Sequence, residues 1–238
     1  MSMPLDQFCA LVFQSFLSIK ENKIASKEFN FIRYVAQNYY LSEAQLFQDL
    51  YVMYKLNKKS GVFVDFGATN GKDINNSWLL EKQFGWTGIV CEPDPRFHEE
   101  LKSNRNCFVE TKCVSDASNK VVTFLQTKSP DLSTMSGYDN DEHDRSQHIK
   151  IDVETISLND MLVKYQIDTI DYLNVDTEGS EFDILSAFNI EKYMPKVITV
   201  EHNFMPNRNK IYDLLISKGY TREFEIFSRW DDWYFIGE

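Results

Sequence analysis

Apolar residues recur along this chain at two different periods, and the change of period divides it. Over the first 57 residues they return every three or four positions. Phe8, Leu11, Val12, Phe16 and Ile19 form one stripe, Phe29, Ile32, Tyr34 and Val35 a second, and Leu46, Leu50, Met53 and Tyr54 a third. That is the spacing of helices that bury one face. From residue 61 short apolar runs alternate with helical stretches. Residues 62–66, 87–91, 107–114, 170–175 and 196–200 read as strands, with 121–125 and 149–153 as further extended segments. Residues 75–84, 95–103, 158–165, 181–188 and 212–217 read as the helices between them. Two aromatic-rich runs, 224–227 and 233–236, end the pattern, and the short connection between them predicts an antiparallel hairpin.

This rhythm predicts an α/β fold: a doubly wound, mostly parallel, seven-stranded Rossmann-like sheet with the antiparallel hairpin at one edge. Residues 58–238 would form that domain and residues 1–57 a helical N-terminal extension, with no Gly/Pro/Ser-rich linker between them. Residues 126–148 break the rhythm. They are polar, with Pro130, Gly137 and charges at Asp139, Asp141, Glu142, Asp144 and Arg145. Two readings stand for them, a solvated connection and a lid or substrate loop.

Composition narrows the functional classes. A chain of 238 residues that is 43% hydrophobic can bury a full core. Its net charge of −11 argues against nucleic acid as a general partner, because a phosphate backbone needs a basic footprint. Cys9, Cys91, Cys107 and Cys113 show no metal-binding spacing and read as free thiols in a reducing cytoplasm. The apolar run from Phe8 to Ile19 is interrupted by Gln14, Ser15 and Ser18 and lacks a basic lead-in. Neither a secretory leader nor a membrane partner is expected.

The densest chemistry begins where the first strand runs into Asp65-Phe66-Gly67-Ala68-Thr69-Asn70-Gly71. Glycines let the chain turn tightly and bring backbone N–H groups against a ligand. Glu92, about twenty residues beyond Gly71, ends the second strand where an acid grips ribose hydroxyls. The spacing lacks the G-x-G-x-x-G of a pyrophosphate cradle, and no Lys-Ser/Thr pair follows for a triphosphate. An amino-acid tail, ammonium plus carboxylate, suits this turn better, with Asp65 facing an ammonium or a neighbouring backbone amide. Ser115-Asp116 after the third strand read as either an adenine contact or a simple turn.

Several ordered motifs then point one way: the 65–71 turn, Phe84-Gly85-Trp86-Thr87-Gly88, Cys91-Glu92-Pro93-Asp94-Pro95 and Val114-Ser115-Asp116. Asn174-Val175-Asp176-Thr177-Glu178-Gly179-Ser180-Glu181-Phe182 and Val200-Glu201-His202-Asn203 continue the series. Together they resemble the FkbM family of S-adenosylmethionine-dependent methyltransferases, from about residue 41 to the end. Thr69 stands where the family often carries Asn or His, and residues 1–40 resemble nothing nameable. The resemblance implies a class I methyltransferase sheet, S-adenosylmethionine as cofactor and S-adenosylhomocysteine as product. It places Gln48, Gly67, Thr69 and Gly71 at the methionine portion, Glu92 at the ribose and Ser115 and Asp116 at the adenine. Asp65, Ser77, Pro93 and Asp176 complete the expected cofactor contacts.

Methyl transfer to a hydroxyl benefits from a base or a metal. Asp176 closes one strand, and Glu201, His202 and Asn203 end its neighbour. Catechol O-methyltransferase-like enzymes build a Mg²⁺ site from such strand ends, so Asp176, Glu201 and His202 are the expected catalytic and Mg²⁺-binding cluster. His202 alone also reads as a structural strand-end residue. Ser180 and Asp183 read as a helix capping box, which leaves Glu178 without a structural task. His143 and His148 read as solvent-exposed, and Arg208, Lys210 and Arg229 as candidates to neutralise a diphosphate. The expected activity is O-methyl transfer to a carbohydrate or nucleotide-sugar in glycan biosynthesis, by an enzyme that associates as a homodimer. The alternatives are O- or N-methylation of a non-sugar small molecule and a non-catalytic cofactor-binding module. A nicotinamide oxidoreductase would want G-x-G-x-x-G, which the chain lacks, and usually a Tyr-x-x-x-Lys pair, a spacing that Leu162-Val163-Lys164-Tyr165 does not supply.

Overall fold

A computed structural model describes residues 5–22, 26–129, 132–138 and 145–237 of the chain. Asp139, Asp141, Glu142, His143 and Asp144 of the polar segment lie outside them. The chain divides into two compact units, Met1–Tyr39 and Tyr40–Glu238.

The smaller unit holds two helices, α1 (Leu5–Asn22) and α2 (Lys27–Asn38). Ser26 caps α2 by accepting the Phe29 N–H at 3.2 Å, which satisfies one of the open donors of the first turn. Phe16 and Phe29 meet edge to face with ring centroids 5.1 Å apart.

The larger unit begins with α3 (Gln48–Leu56) and is built on a seven-stranded sheet. Its strands are β1 (Val62–Phe66), β2 (Thr87–Cys91), β3 (Phe108–Glu110), β8 (Tyr172–Val175), β9 (Val197–Glu201), β10 (Thr221–Glu223) and β11 (Asp231–Phe235). They lie in the order β10-β11-β9-β8-β1-β2-β3. Only β11 runs against its neighbours, slotted antiparallel between β9 and β10. The helices α4 (Trp78–Phe84), α5 (His98–Asn104), α6 (Leu158–Lys164), α7 (Glu181–Ala187), α8 (Ile190–Tyr193), α9 (Asn207–Ser217) and α10 (Glu225–Ser228) connect the strands.

Side chains alternate across a strand, and this decides what each face of the sheet carries. Val64, Phe66, Leu173, Val175, Ile198 and Val200 point one way into a core completed by Met161, Leu162, Ile184, Leu185, Ile211 and Leu215. Each such side chain, fully removed from water, contributes about 1.5–3 kcal/mol. The intervening residues point the other way. Phe63, Tyr172 and Trp233 are buried there too, and Tyr51 of α3 stacks on Trp233 at 4.8 Å. Among those intervening positions, however, are Asp65, Asn174 and Thr199, so this second face carries a buried polar strip.

A second sheet, in the order β4-β7-β5-β6, contains β4 (Cys113–Ser115), β5 (Val121–Thr127), β6 (Thr134–Met135) and β7 (His148–Ser157). Two expectations are corrected by this architecture. Residues 107–114 do not form one strand, because Glu110 turns the chain by accepting the N–H groups of Thr111 and Lys112. β3 therefore stays in the main sheet while β4 pairs with β7. The extended segments near 121–125 and 149–153 are strands, paired with each other in this second sheet. The aromatic run 224–227 is no strand: Phe224 takes a left-handed backbone at φ 53° and opens α10, and β10 precedes it.

Candidate active site

Strand register sets up the site. Asp65 of β1 lies beside Asn174 of β8, Asn174 beside Thr199 of β9, and Thr199 beside Trp233 of β11. Hydrogen bonds run along this row. Ser77 Oγ and Asn75 Nδ2 donate to Asp65 Oδ2 at 2.6 and 3.0 Å, and Asn174 Nδ2 donates to Asp65 Oδ1 at 2.9 Å. Thr199 Oγ1 donates to Asn174 Oδ1 at 2.6 Å. Two residues further along each strand, on the same face, come Gly67, Asp176, Glu201 and Asp231, the last two being cross-strand partners. The second row is thus acidic and sits at the carboxyl ends of the parallel strands, where α/β sheets bind ligands. A cavity of about 420 Å³ opens there.

The loop after β1 is forced into shape by close packing. Gly67 has φ 73°, and a Cβ on it would lie 2.6 Å from the Asp176 carbonyl oxygen. Thr69 at φ 45° and Ile74 at φ 50° take left-handed conformations that cost a side chain energy, the kind of strain that gathers at functional sites. Arg105, fully buried, holds the loop from below. Its guanidinium donates to the Gly71 carbonyl at 3.2 Å, to Asn75 Oδ1 at 2.9 Å, to Ser77 Oγ at 2.9 Å and to Glu81 Oε2 at 2.7 Å. Arg105 was not singled out by the sequence, because nothing local marks it.

The expected cofactor residues divide into two groups. Asp65, Gly67, Thr69, Glu92, Pro93 and Asp176 line the large cavity. Glu92 is buried, and its two oxygens accept the backbone N–H groups of Thr69 and Asp94, each at 2.8 Å. Burial pushes its carboxyl up to about 7 against those two hydrogen bonds. Each oxygen keeps a lone pair for a further donor. The others stand behind the wall. Gln48 accepts the Leu46 N–H at 2.8 Å and donates to Asp231 Oδ2 at 2.7 Å. Gly71 packs against Leu101 and Arg105, and Ser77 is spent on Asp65. Ser115 donates to Asp116, which faces Lys120, and the cavity is reached instead by Cys113 and Val114. Asn76 also lines the cavity, buried, its Oδ1 without a hydrogen-bond partner among the described residues.

At the other end of the cavity carboxylate oxygens of Asp176, Glu178 and Glu201 lie within 4.8 Å of one another. Burial, then the neighbouring Glu178, pushes Asp176 well above the ordinary carboxyl range, and burial, then Asp176, does the same to Glu201. Two such neighbours cannot both ionise cheaply, so each holds its proton more tightly than an isolated exposed acid would. Glu201 Oε2 is buried without a hydrogen-bond partner among the described residues. Glu178 is met by a cation: Arg145 Nη2 lies 2.5 Å from its Oε2.

His202 does not join this cluster. It follows Glu201, so its side chain leaves the strand end in the opposite direction. Its Nδ1 accepts the Phe204 N–H at 2.9 Å, and its Nε2 lies 3.7 Å from Asp232 Oδ1. Burial lowers its pKa, so the neutral ring carries its proton on Nε2 and presents no free base to the cavity. The expected trio of Asp176, Glu201 and His202 is therefore replaced by Asp176, Glu178 and Glu201. Oxygen donors of this kind suit Mg²⁺, but one of the three is already engaged by a guanidinium, so the set does not fit the ion.

Leu132, Ser133 and Met135 wall the cavity, so the polar segment contributes directly to the site. Thr134 Oγ1 donates to the Glu178 carbonyl at 2.9 Å and Tyr138 OH to Asp183 Oδ2 at 2.6 Å. Asp183 thus ties down that segment rather than capping α7. Glu181 does the local work instead, accepting from the Thr177 and Gly179 N–H groups at 3.0 and 2.9 Å, while Ser180 makes no capping bond. A smaller cavity of about 190 Å³ adjoins, sharing Glu178, Glu201 and Asn203 with the first. Of the cations expected to meet a diphosphate, Arg208 is bound by Asp232 and Glu225, Lys210 lies over the Phe182 ring and Arg229 over Trp230. His148 Nδ1 lies 2.8 Å from the Arg145 carbonyl.

Residues 65–233 match the model of the methyltransferase FkbM domain. Among solved structures the chain is similar to a methyltransferase FkbM from Methylobacillus flagellatus KT, at 18% identity and a TM-score of 0.51. That match covers 84% of this chain and 50% of the other, so the chain spans about half the length of that relative. A precorrin-6y C5,15-methyltransferase from Geobacter metallireducens GS-15 is a fainter match, at 14% identity and a TM-score of 0.39, covering 74% and 71% of the two chains. No curated protein sequence matches. The domain match spans most of the chain and both rows of the strand-end site, and by it the chain belongs to the FkbM methyltransferase family.

Proposed function

We propose that this chain is an S-adenosylmethionine-dependent O-methyltransferase whose acceptor is a hydroxyl of a carbohydrate or nucleotide-sugar. The observation that carries the reading is the cavity itself: Glu92 at one end, and at the other a buried carboxylate pair with one oxygen unpaired among the described residues. The residues fit the cofactor. Glu92 would hold the ribose hydroxyls, Cys113 and Val114 would flank the adenine, and the Gly67–Thr69 backbone with Asn76 Oδ1 would take the amino-acid end. When bound, the cofactor supplies a methyl group on a positively charged sulfur that leaves as a neutral thioether.

The chain's own residues then have two tasks. The walls fix the acceptor oxygen in line with the methyl carbon, which is where much of the rate of such a displacement arises. The ionised member of the Asp176–Glu201 pair takes the hydroxyl proton as the new O–C bond forms. A carboxylate whose affinity for protons has been raised by burial is a better base than an exposed one. Hydroxyl acceptors, often on sugars, are what the FkbM resemblance implies.

Calorimetric titration with S-adenosylhomocysteine tests the first half. Binding in the micromolar range is expected, weakened roughly tenfold to a hundredfold in Glu92→Ala by loss of a charged hydrogen-bond acceptor. Absence of heat at tens of micromolar ligand sinks the reading. For the second half, a panel of sugars and nucleotide-sugars is followed by mass spectrometry for the gain of one methyl group. With an acceptor in hand, Asp176→Asn and Glu201→Gln should each lower kcat by about a hundredfold or more. Near-normal rates in both would refute the base.

A further inference from the structure

We infer that the cation of this acid cluster is the guanidinium of Arg145, and that the site is built to work without a divalent metal. The inference rests on the proposed reading of the cluster as the methyl-transfer centre. Three carboxylates at this spacing ordinarily invite a metal ion, so something must balance them when none is bound. Arg145 is placed to do so. Its side chain is only 5% exposed, and Nη2 lies 2.5 Å from Glu178 Oε2. Nε donates to the Leu132 carbonyl at 2.8 Å, so the guanidinium is aimed from at least two sides rather than swinging from the surface. Its fixed plane suits that two-point hold, whereas a lysine would offer a single mobile charge.

Glu178 is held just as firmly at its end. It sits at φ 60° in a turn, its carbonyl oxygen accepts from Thr134 Oγ1, and Asn203 Nδ2 lies 3.5 Å from the same Oε2 that meets Arg145. A divalent ion bound among the three carboxylates would have to share Glu178 with the guanidinium or displace it. Like charges at that separation in a buried site repel strongly. His202, the other candidate ligand, is turned to Phe204 and Asp232. Arg145 is thus a positioning residue. By taking Glu178 it leaves Asp176 and Glu201 as the pair that faces the acceptor, with Glu201 Oε2 open to a hydroxyl.

The test uses the whole chain and Mn²⁺ as the probe, with binding followed by electron paramagnetic resonance. Wild type should show no saturable Mn²⁺ binding up to millimolar concentrations, with S-adenosylhomocysteine present or absent, and EDTA should leave its affinity for S-adenosylhomocysteine unchanged. Arg145→Ala exposes all three carboxylates and should bind Mn²⁺ at least about tenfold more tightly than wild type. Its S-adenosylhomocysteine affinity should fall and be restored by millimolar guanidinium chloride but not by equal sodium chloride. A merely structural role would not produce that rescue. Arg145→Lys, which keeps a charge in place, should stay blind to Mn²⁺. Micromolar Mn²⁺ binding by wild type that Glu178→Gln abolishes overturns the inference. So does a folded Arg145→Ala protein that gains no metal binding. Should Arg145→Ala fail to fold, the wild-type titration and Arg145→Lys still decide. Wild-type binding of S-adenosylhomocysteine reports separately on the cofactor reading, so the two failures are distinguishable.

Discussion

Gly67 shows how a single residue couples the cofactor loop to the acid row. At φ 73° with the Asp176 carbonyl 2.6 Å from where a Cβ would stand, it is required by close approach as well as by conformation. Gly67→Ala is expected to destabilise the protein by about 1–3 kcal/mol, from left-handed strain plus displacement of the β8 end. Chemical denaturation checks this, and an unchanged midpoint would contradict it. At this scale the sequence was legible where chemistry is local: a glycine turn after a strand, and an acid at the next strand end, are visible as neighbours in the chain. Arg145 was visible only as one charge in a polar run. Its role depends on meeting Glu178 across 33 positions, and no local pattern encodes that. Asp231 was missed for a related reason. It enters the acid row only because β11 is reversed and slotted beside β9, in register with Glu201.

Elements were read well where burial is uniform and less well where it is not. The apolar runs that became β1, β2, β8 and β9 leave little choice, since strands covered on both faces must be apolar almost throughout. The run 224–227 is also mostly apolar but packs as a helix turn, with Glu225 and Ile226 exposed and Phe224 against Tyr51 at 5.7 Å and Phe227 at 6.0 Å. Tertiary packing there overrides an extended preference. The loop 67–77 carries the element-scale prediction. It has little regular structure and is held by Arg105, which is fully buried against a nearly buried Glu81. Arg105→Leu would take the guanidinium from Glu81, leaving it to Lys82 and the Asn106 N–H, and strip donors from Gly71, Asn75 and Ser77 together. A loss of about 3–5 kcal/mol is expected, as for other buried pairs broken from one side. Affinity for S-adenosylhomocysteine should drop as well, although Arg105 is not among the residues lining the cavity. Loss of stability with unchanged affinity would show that the clamp serves only the fold.

For the whole molecule, the buried acids should invert the usual dependence of stability on pH. Burial pushes Asp49, Glu92 and Asp231 up to about 7. Asp49 faces Ser42 and the Leu50 N–H, Glu92 faces Asp94 and Arg96, and Asp231 faces Gln48 and Asp232. In the unfolded chain such groups lose their protons near pH ~4. Between about pH 4 and 7 the folded state therefore binds more protons than the unfolded one, and stability falls as pH rises through that window. The net charge of −11 acts in the same direction, since each ionised acid adds to self-repulsion. Glu81 opposes this at the acid end. Burial alone would raise it, but Arg105 holds it down to about 2, so its contribution is complete above its ordinary 4.5 and is lost as pH drops toward 2. Thermal unfolding of the ligand-free protein should accordingly peak near about pH 5 and fall by roughly 5 °C or more by about pH 8. Asp49→Asn, which removes one raised carboxyl away from the cavity, should flatten that decline. A melting temperature that climbs steadily from about pH 5 to about pH 8 would mean these carboxyls ionise in the folded protein as readily as in water.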